Sequence, residues 1–389
     1  MNVLIEFFDE EPIENLITCT HFHMEKVICF GYSPMMSLER RGKLKRSHKK
    51  LCGDHEMEFI EVPFGELNEI VKIMDEVLAR EYGAGNQCFF DLTGGGDLIL
   101  VAMGILSAKY PTPMHSYNVR TGKLNIIEQK DVKSIDELAE HHEKQLKLDH
   151  IIGIYGGKID YNAQKDYKKH LDDPSFKNDV KAMWKVARRD QRKWNGFSAF
   201  LRSCSNYQLT DLMVDMGAED VKRLMKKTPG IRSVKELHQY LEQLGAAKVL
   251  QNVEVNQDGI AFEYKSFMIK NCLHDAGCIL ELHTYYDFVD SGRYSDVRVG
   301  AHISWEDQTW YEDDNVKNEI DVLALEGYVP VFVSCKNGKV DQMALYELET
   351  VARRFGGRRG KKILVTGQKM SAGYAKRAEE MDIEVRCME

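Results

Sequence analysis

The chain is 389 residues long, with 43% hydrophobic and 29% charged residues and a formal net charge of −8. These values are typical of a soluble globular protein of two or three domains, and the acidic total argues against a protein that coats nucleic acid. No apolar run approaches membrane-spanning length and no export signal is recognisable, so we expect a cytoplasmic protein without a membrane partner. The nine cysteines form no CxxC pair, which predicts reduced thiols and no zinc site.

Strand-like and helix-like segments alternate in the first third of the chain. Runs of apolar residues predict strands, and apolar residues spaced three or four apart predict helices. The predicted strands cover residues 3–8, 26–31, 58–62 and 87–92, and the predicted helices cover residues 66–82 and 98–109. This alternation predicts a doubly wound, mostly parallel sheet, in which ligands bind beyond the carboxyl ends of the strands.

A glycine-rich turn follows the fourth predicted strand. Its sequence is Thr93-Gly94-Gly95-Gly96-Asp97, and a helix follows at once. Glycines let a ligand approach the backbone, a helix N-terminus offers N–H groups to a phosphate, and Thr93 adds a hydroxyl. A tight turn with Asp97 as helix N-cap is the alternative. The turn matches neither the dinucleotide-binding nor the Walker pattern.

The run Asp91-Leu92-Thr93-Gly94-Gly95-Gly96 after a strand, with an acidic loop after the first strand, resembles the CARF domain, the CRISPR-associated Rossmann fold. The resemblance covers residues 1–150. It implies a homodimer that binds a cyclic oligoadenylate activator at the dimer interface. The ligand-binding residues that it implies, together with the residue that begins the following helix, are Asp9, Glu10, Thr93, Gly94, Gly95, Gly96 and Asp97.

Two basic runs contain no acidic residue. They cover residues 40–50 and 353–362. A solvated loop or turn is one interpretation of each run, and attraction of phosphate is the other; for the second run this means a phosphodiester bound next to an active site.

Residues 151–258 are charged and carry mostly helical patterns. Three short patterns between residues 209 and 250 are separated by Gly217, Pro229-Gly230 and Gly245. Two interpretations stay open. The segment is a helical connector between two domains, or it is a small helix-turn-helix or winged-helix module.

Two strands in the last third of the chain are predicted to form a hairpin with its turn at Gly327. Alternation places Glu319 and Asp321 on one face of the first strand and Ser334 and Lys336 on one face of the second. An acid and an ammonium near strand ends can hold a divalent metal and a phosphate. The alternative is a solvated Asp–Lys pair.

A helix containing Glu281, a strand, this hairpin and a further helix follow one another over residues 259–389. This order resembles the PD-(D/E)xK nuclease fold. The resemblance implies a catalytic site in which Glu281 and Asp321 bind Mg²⁺ or Mn²⁺ and Lys336 is the catalytic lysine. Ser334 departs from the family, which usually has an acid there, so either the site is inactive or another carboxylate replaces the acid. We expect Glu347 of the following helix to be that metal ligand and catalytic residue, with Glu349 as its rival.

The two resemblances together predict an α/β protein with an N-terminal Rossmann-like CARF domain at residues 1–150, a connector at 151–258 and a PD-(D/E)xK-like domain at 259–389. This arrangement resembles the ancillary effector nucleases of type III CRISPR defence. It implies a metal-dependent endonuclease for DNA or RNA, activated by a cyclic oligoadenylate, with cyclic tetra-adenylate as the expected ring. The alternatives are a ligand-gated nucleic-acid-binding regulator with an inactive nuclease domain, an N-terminal domain that cleaves its own ligand, and a non-enzymatic scaffold.

Overall fold

The computed structural model describes residues 1–142, 144–160, 166–228, 230–305 and 318–388. The chain forms two compact units. The first consists of Met1–Gly157, Leu325–Pro330 and Gly356–Arg359, and the second consists of Lys158–Ala324, Val331–Phe355 and Gly360–Glu389. Among the described residues, no helix combines the length and the apolar character needed to cross a membrane.

The first unit contains a six-stranded sheet in the order β3-β2-β1-β4-β5-β6. Strands β1 to β5 run parallel to one another, and only the edge strand β6 of this sheet is antiparallel to its neighbour β5. The strands are β1 (Asn2–Phe7), β2 (Lys26–Tyr32), β3 (Glu56–Val62), β4 (Gln87–Asp91), β5 (Met114–Asn118) and β6 (Lys123–Ile127). The helices are α1 (Ile17–His21), α2 (Leu38–Leu51), α3 (Leu67–Gly83), α4 (Asp97–Ser107), α5 (Ile135–Leu138) and α6 (Leu148–Ile154).

The mostly parallel α/β sheet predicted for the N-terminal third is confirmed. Strands β1 and β2 each have a neighbour on both sides and are buried along almost their whole length. A strand covered on both faces needs apolar residues at consecutive positions, which is why these two strands appear as unbroken apolar runs in the sequence. The carboxyl ends of the adjacent strands β1 and β4 therefore meet at one edge of the sheet.

Two local predictions for the first unit are wrong. The basic run at residues 40–50 lies in helix α2 and not in a loop, because the Ser37 side chain caps the helix and Leu44 and Leu51 bury one face of it. The N-cap of α4 is Gly96, and Asp97 is the first helical residue, where its charge still favours the helix N-terminus.

The second unit contains a six-stranded sheet in the order β15-β14-β13-β12-β11-β7 and a three-stranded sheet in the order β8-β10-β9. The strands are β7 (Gly157–Asp160), β8 (Met213–Gly217), β9 (Leu250–Val255), β10 (Gly259–Tyr264), β11 (Asp296–Trp305), β12 (Asn318–Glu326), β13 (Val329–Lys336), β14 (Lys361–Thr366) and β15 (Ile383–Cys387). The helices are α7 (Pro174–Ala187), α8 (Gln191–Ser203), α9 (Ala218–Lys227), α10 (Val234–Ala246), α11 (Phe267–His274), α12 (Cys278–Asp290), α13 (Gln342–Gly356) and α14 (Ala372–Glu380). Two short 3₁₀ helices are Asp166–His170 and Cys204–Tyr207.

The middle of the chain is less helical than its pattern indicated. The first of its three predicted helical segments contains β8, which pairs antiparallel with β10. The alternation of buried Val214 and Met216 with outward-facing residues is a two-residue period, and it outweighs the weak helical pattern. The other two segments are α9 and α10; Pro229, predicted to separate them, lies outside the described residues.

The loop after β1 is held by the side chain of Asn15, which is 3% exposed. Its amide oxygen accepts a hydrogen bond from the Asp9 N–H at 2.9 Å, and its amide nitrogen donates to Glu6 Oε1 at 2.9 Å and to the Phe7 carbonyl. One buried side chain therefore links the end of β1 to the loop that follows it.

Replacing Asn15 by alanine leaves these buried polar groups unpaired, so we expect Asn15→Ala to destabilise the protein by about 1–3 kcal/mol. Urea unfolding followed by circular dichroism measures this loss. Asn125→Ala, at an exposed position on β6, is the matched control and should change stability by less than about 0.5 kcal/mol. Equal stabilities of the two variants would contradict the role given to Asn15.

Candidate sites: a pocket at the sheet edge and a nuclease hairpin

A pocket of about 380 Å³ lies in the first unit where β1 and β4 end. The loop after β1 supplies acidic residues, the turn after β4 supplies glycine backbone, and residues 356–359 supply two arginines. The lining residues are Asp9, Glu11, Glu14, Leu92, Thr93, Gly94, Gly95, Leu100, Arg358 and Arg359. This is the edge at which parallel sheets bind ligands.

The turn after β4 is fixed by Asp91, which is 2% exposed. Its Oδ1 accepts hydrogen bonds from the N–H and the hydroxyl of Thr93, and its Oδ2 accepts one from the Thr18 hydroxyl at 2.6 Å. The Thr93 hydroxyl also accepts a hydrogen bond from the Tyr117 N–H at 2.9 Å. The hydroxyl that the sequence offered to a ligand therefore already holds the turn in place.

Asp9 joins the acidic loop to the glycine turn. Its carboxylate accepts hydrogen bonds from the N–H of Glu11 at 2.9 Å and of Gly95 at 3.2 Å. A Cβ on Gly94 would lie 2.7 Å from Glu14 Oε2, and Gly95 has a φ of +139°, which side chains rarely adopt. Both glycines are thus required for the packing of the acidic loop against the turn.

Arg358 and Arg359 pair with the acids of this loop. The backbone N–H of Arg358 donates to Glu11 Oε1 at 2.7 Å, and its guanidinium lies 3.5 Å from Glu10. Arg359 forms an ion pair with Glu14. Glu11 and Glu14 are 5% and 4% exposed, whereas both arginine side chains are largely exposed. The arginines therefore neutralise buried acids and still present charge to solvent.

Burial and the nearby Asp9 raise the pKa of Glu14 to about 7, although Arg359 acts in the opposite direction. Burial and the nearby Asp91 raise the pKa of Glu6, behind the same loop, well above its ordinary value. Glu14 therefore changes its charge near neutral pH at the wall of the pocket.

Of the predicted ligand-binding residues, Asp9, Thr93, Gly94 and Gly95 line the pocket. Three others do not line it. Glu10 is exposed and pairs with Arg358, Gly96 packs against the Tyr32 ring, and Asp97 is exposed at the start of α4.

Sequence reasoning missed the remaining polar lining residues. Only Asp9 and Glu10 of the acidic loop were predicted to bind the ligand, although Glu11 and Glu14 are also acidic. The basic run was expected next to the nuclease site or in a solvated turn. The structure places Arg358 and Arg359 in an exposed turn of the first unit, where they also pair with acidic residues. The basic run was the available signal, and no local pattern shows which acids it pairs with.

The hairpin in the second unit brings Asp321 of β12 against β13. Asp321 Oδ2 accepts hydrogen bonds from the Cys335 N–H at 2.6 Å and from the Ser334 hydroxyl at 3.3 Å. Burial raises the pKa of Asp321, and the nearby Glu319 raises it further, whereas the Cys335 N–H, Lys336 and Ser334 lower it. Lys336 therefore acts electrostatically on Asp321, and the carboxylate is oriented by the backbone of the lysine's own strand.

Glu281 approaches the same strand from α12 and is 9% exposed. Its charge and that of Asp321 both raise the pKa of the Cys335 thiol, after burial as the main cause. The thiol also contacts the Thr284 hydroxyl of α12 at 3.7 Å. Cys335 therefore marks the place where α12 and the hairpin meet.

The acid that acts electrostatically on Asp321 is Glu319, two residues earlier on β12. Glu319 also lies 3.9 Å from His302 of β11. Glu347 is exposed on α13, and Glu349 pairs with Lys362 of β14. The replacement of the missing acid by Glu347 stays a prediction, and Glu319 becomes a second candidate.

The donor set suits a hard divalent cation such as Mg²⁺ or Mn²⁺. Asp321 and Glu281 offer carboxylate oxygens, which these ions prefer over nitrogen or sulfur. Within the described part of the chain, the hydrogen bonds from Cys335 and Ser334 are accepted by Oδ2 of Asp321, which leaves Oδ1 as the oxygen that could contact a cation.

Residues 272–386 match the family model of the Card1-like endonuclease domain. The chain therefore combines a Rossmann-like unit with a region that is similar to this endonuclease domain.

Two solved structures share the fold over almost the whole chain. Protein VC1899 from Vibrio cholerae has a TM-score of 0.68 and 15% identity, and the match covers 100% of this chain and 94% of that one. Can2 from Sulfobacillus thermosulfidooxidans, solved in complex with cyclic tetra-adenylate, has a TM-score of 0.56 and 15% identity, with 99% and 95% covered. At this identity the comparison establishes the fold. No curated protein matches the sequence.

We expect Asp321→Asn to lower nuclease activity by on the order of 10³-fold, because it removes a charge that holds the metal while keeping the side-chain volume. Cleavage of labelled DNA and RNA with Mn²⁺ measures the loss, and calorimetry measures Mn²⁺ binding. Asp382→Asn is the matched control, since that exposed residue has a φ of +52°, which asparagine also adopts.

Glu319→Gln and Glu347→Gln identify the second acid in the same assays. Because Glu319 acts on Asp321 directly, we expect the first variant to lose more activity than the second. The reverse order would assign the role to Glu347, and wild-type activity in Asp321→Asn would exclude the hairpin from the reaction.

Proposed function

We propose that this protein is a metal-dependent endonuclease of type III CRISPR antiviral defence, activated by a cyclic oligoadenylate and most strongly by cyclic tetra-adenylate. The observation that carries the proposal is the pocket at the carboxyl ends of β1 and β4. It combines glycine backbone with two exposed arginines, in a chain that also contains a Card1-like endonuclease domain.

The pocket offers separate partners to the parts of a nucleotide. The guanidinium groups of Arg358 and Arg359 suit phosphate oxygens, for which arginine is well shaped. The carboxylates of Asp9 and Glu11 suit ribose hydroxyls, as acidic residues do in other Rossmann-like sites. Can2 supports this assignment, because it shares the fold and was solved with cyclic tetra-adenylate.

Phosphates compete with the acidic loop for the arginines. When Arg359 turns from Glu14 to a phosphate, Glu14 loses a positive neighbour and gains a negative one. Its pKa, already about 7, then rises, and a proton binds to it. Residues 356–359 connect α13 to β14, so a shift of this turn is transmitted along the chain into the nuclease fold.

In the proposed nuclease site, Asp321 and Glu281 would hold the cation, and Glu319 or Glu347 would complete its shell. A bound Mg²⁺ or Mn²⁺ supplies Lewis-acid activation of the phosphodiester and of water. Lys336 places an ammonium group where negative charge develops on the phosphate oxygens. The hydrogen bond from the Cys335 N–H orients the Asp321 carboxylate.

A second candidate function is that of a ligand-gated nucleic-acid-binding regulator. Ser334 favours it, because the strand lacks the acid that PD-(D/E)xK nucleases usually carry beside the lysine. In the structure the Ser334 hydroxyl donates a hydrogen bond to Asp321 and so helps to orient its carboxylate. An oriented carboxylate supports the nuclease function over the regulator.

The test incubates the full chain with single-stranded DNA, double-stranded DNA and RNA, with Mg²⁺ or Mn²⁺, and with cyclic tri-, tetra- or hexa-adenylate. We expect cleavage only where metal and cyclic tetra-adenylate are both present, and dimers by light scattering. Activator-dependent binding without cleavage would support the regulator. Cleavage that ignores all three rings would refute activation.

Activator binding should take up a proton. The pKa of Glu14 is about 7 in the protein without activator and is expected to rise when the activator binds. The affinity for cyclic tetra-adenylate should therefore fall by up to about tenfold per pH unit above pH 7 and stay constant below pH 7. Calorimetry at pH 7.5 in two buffers of different ionisation enthalpy measures the proton. Glu14→Gln should remove the pH dependence, whereas Glu10→Gln, at an exposed position of the same loop, should keep it.

A further inference from the structure

Three potential metal ligands lie together in the first unit, behind the loop that lines the pocket. Cys19 of α1, His48 of α2 and His55, just before β3, each place one ligand atom within 4.8 Å of the others. Cys19 and His48 are 2% and 1% exposed, and His55 is half-buried. The three ligands are 29 and seven residues apart in the sequence and form no CxxC motif, so the sequence predicted no zinc site.

The hydrogen bonds define which nitrogen of His48 is available. His48 Nε2 lies 2.8 Å from the Asn15 backbone oxygen, which can only accept, so this nitrogen carries the proton. His48 Nδ1 is then a lone-pair donor, and His55 Nε2 lies 2.8 Å from it. A carbonyl that fixes the tautomer of a buried histidine is the usual support of a histidine metal ligand.

We propose that Cys19 Sγ, His48 Nδ1 and His55 Nε2 form a binding site for Zn²⁺ or a similar soft divalent cation. Tetrahedral zinc ligands are about 3.3–3.7 Å apart, so the three atoms reach this geometry with shifts of about 1 Å or less. The Cys19 thiol gives its proton to solvent, and His55 moves its proton from Nε2 to Nδ1.

This site differs in chemistry from the nuclease site. Sulfur and nitrogen ligands select Zn²⁺ or Co²⁺, and carboxylates select Mg²⁺ or Mn²⁺. The metal would join α1, the end of α2 and the start of β3. It would also fix the Asn15 backbone, whose side chain holds Asp9 of the pocket loop. Bound zinc therefore stabilises the pocket loop without touching the ligand.

Cobalt is the probe for the test. The full chain is reduced, stripped with chelator and titrated with Co²⁺. We expect one Co²⁺ per chain, with a thiolate-to-cobalt absorption band in the near ultraviolet and the visible bands of tetrahedral cobalt, both displaced by one equivalent of Zn²⁺ and unaffected by excess Mg²⁺. Zn²⁺ should also raise the melting temperature of the stripped protein.

Variants assign the ligands. Cys19→Ser should lose the thiolate band, and His55→Gln, outside the helices and half-exposed, should bind Co²⁺ at least about tenfold more weakly while remaining folded by circular dichroism. Cys88 is a buried cysteine of β4, and Cys88→Ser is the matched control. This variant should keep the thiolate band and the wild-type affinity for Co²⁺. Absence of the thiolate band in folded wild type, or an unchanged band in Cys19→Ser, would overturn the proposal.

Discussion

The pairing of Glu11 and Glu14 with Arg358 and Arg359 is the constraint on which the first unit depends. Two carboxylates lie almost fully buried beside Asp9, and such groups are costly without a positive partner. The chain supplies that partner more than three hundred residues later. The acidic loop, the glycine turn and the two arginines therefore form one electrostatic unit, and any polyanion that enters the pocket must rearrange the charges among these groups.

The hairpin of β12 and β13 also contains a buried carboxylate, and here a backbone N–H stabilises it. Asp321 carries a pKa raised by burial, and the Cys335 N–H and the Lys336 charge stabilise its ionised form. Ser334, in place of the usual acid, removes one negative charge near the Asp321 carboxylate and adds a hydroxyl that donates a hydrogen bond to it. The departure from the family pattern is thus physically compatible with an ordered carboxylate, because the remaining acid gains a hydrogen-bond partner.

Sequence patterns reached the fold of the N-terminal sheet, since buried parallel strands must be apolar runs and the helices between them show clear periodicity. They also predicted that Asp321 and Lys336 lie on two adjacent strands, since the pattern of a hairpin is a local property. Sequence patterns did not predict the position of Arg358 in the pocket, nor the cluster of Cys19, His48 and His55. Tertiary packing between elements distant in sequence brings those residues together, and the local sequence around each residue does not indicate these contacts. The helix α2 was missed for another reason, because its many charges masked the two leucines that bury it.

The division of the chain also bears on how the protein is made. The first unit includes Leu325–Pro330 and Gly356–Arg359, although its sheet is complete by residue 127. At translation rates of about 5–20 residues per second, the arginines leave the ribosome roughly 10–40 s after Gly157. During that interval the acidic loop lacks its counter-charges, so the first unit reaches its final electrostatic state only when the region that resembles the endonuclease domain is nearly complete. A gene fragment that encodes residues 1–157 alone would keep the protein in that incomplete state permanently.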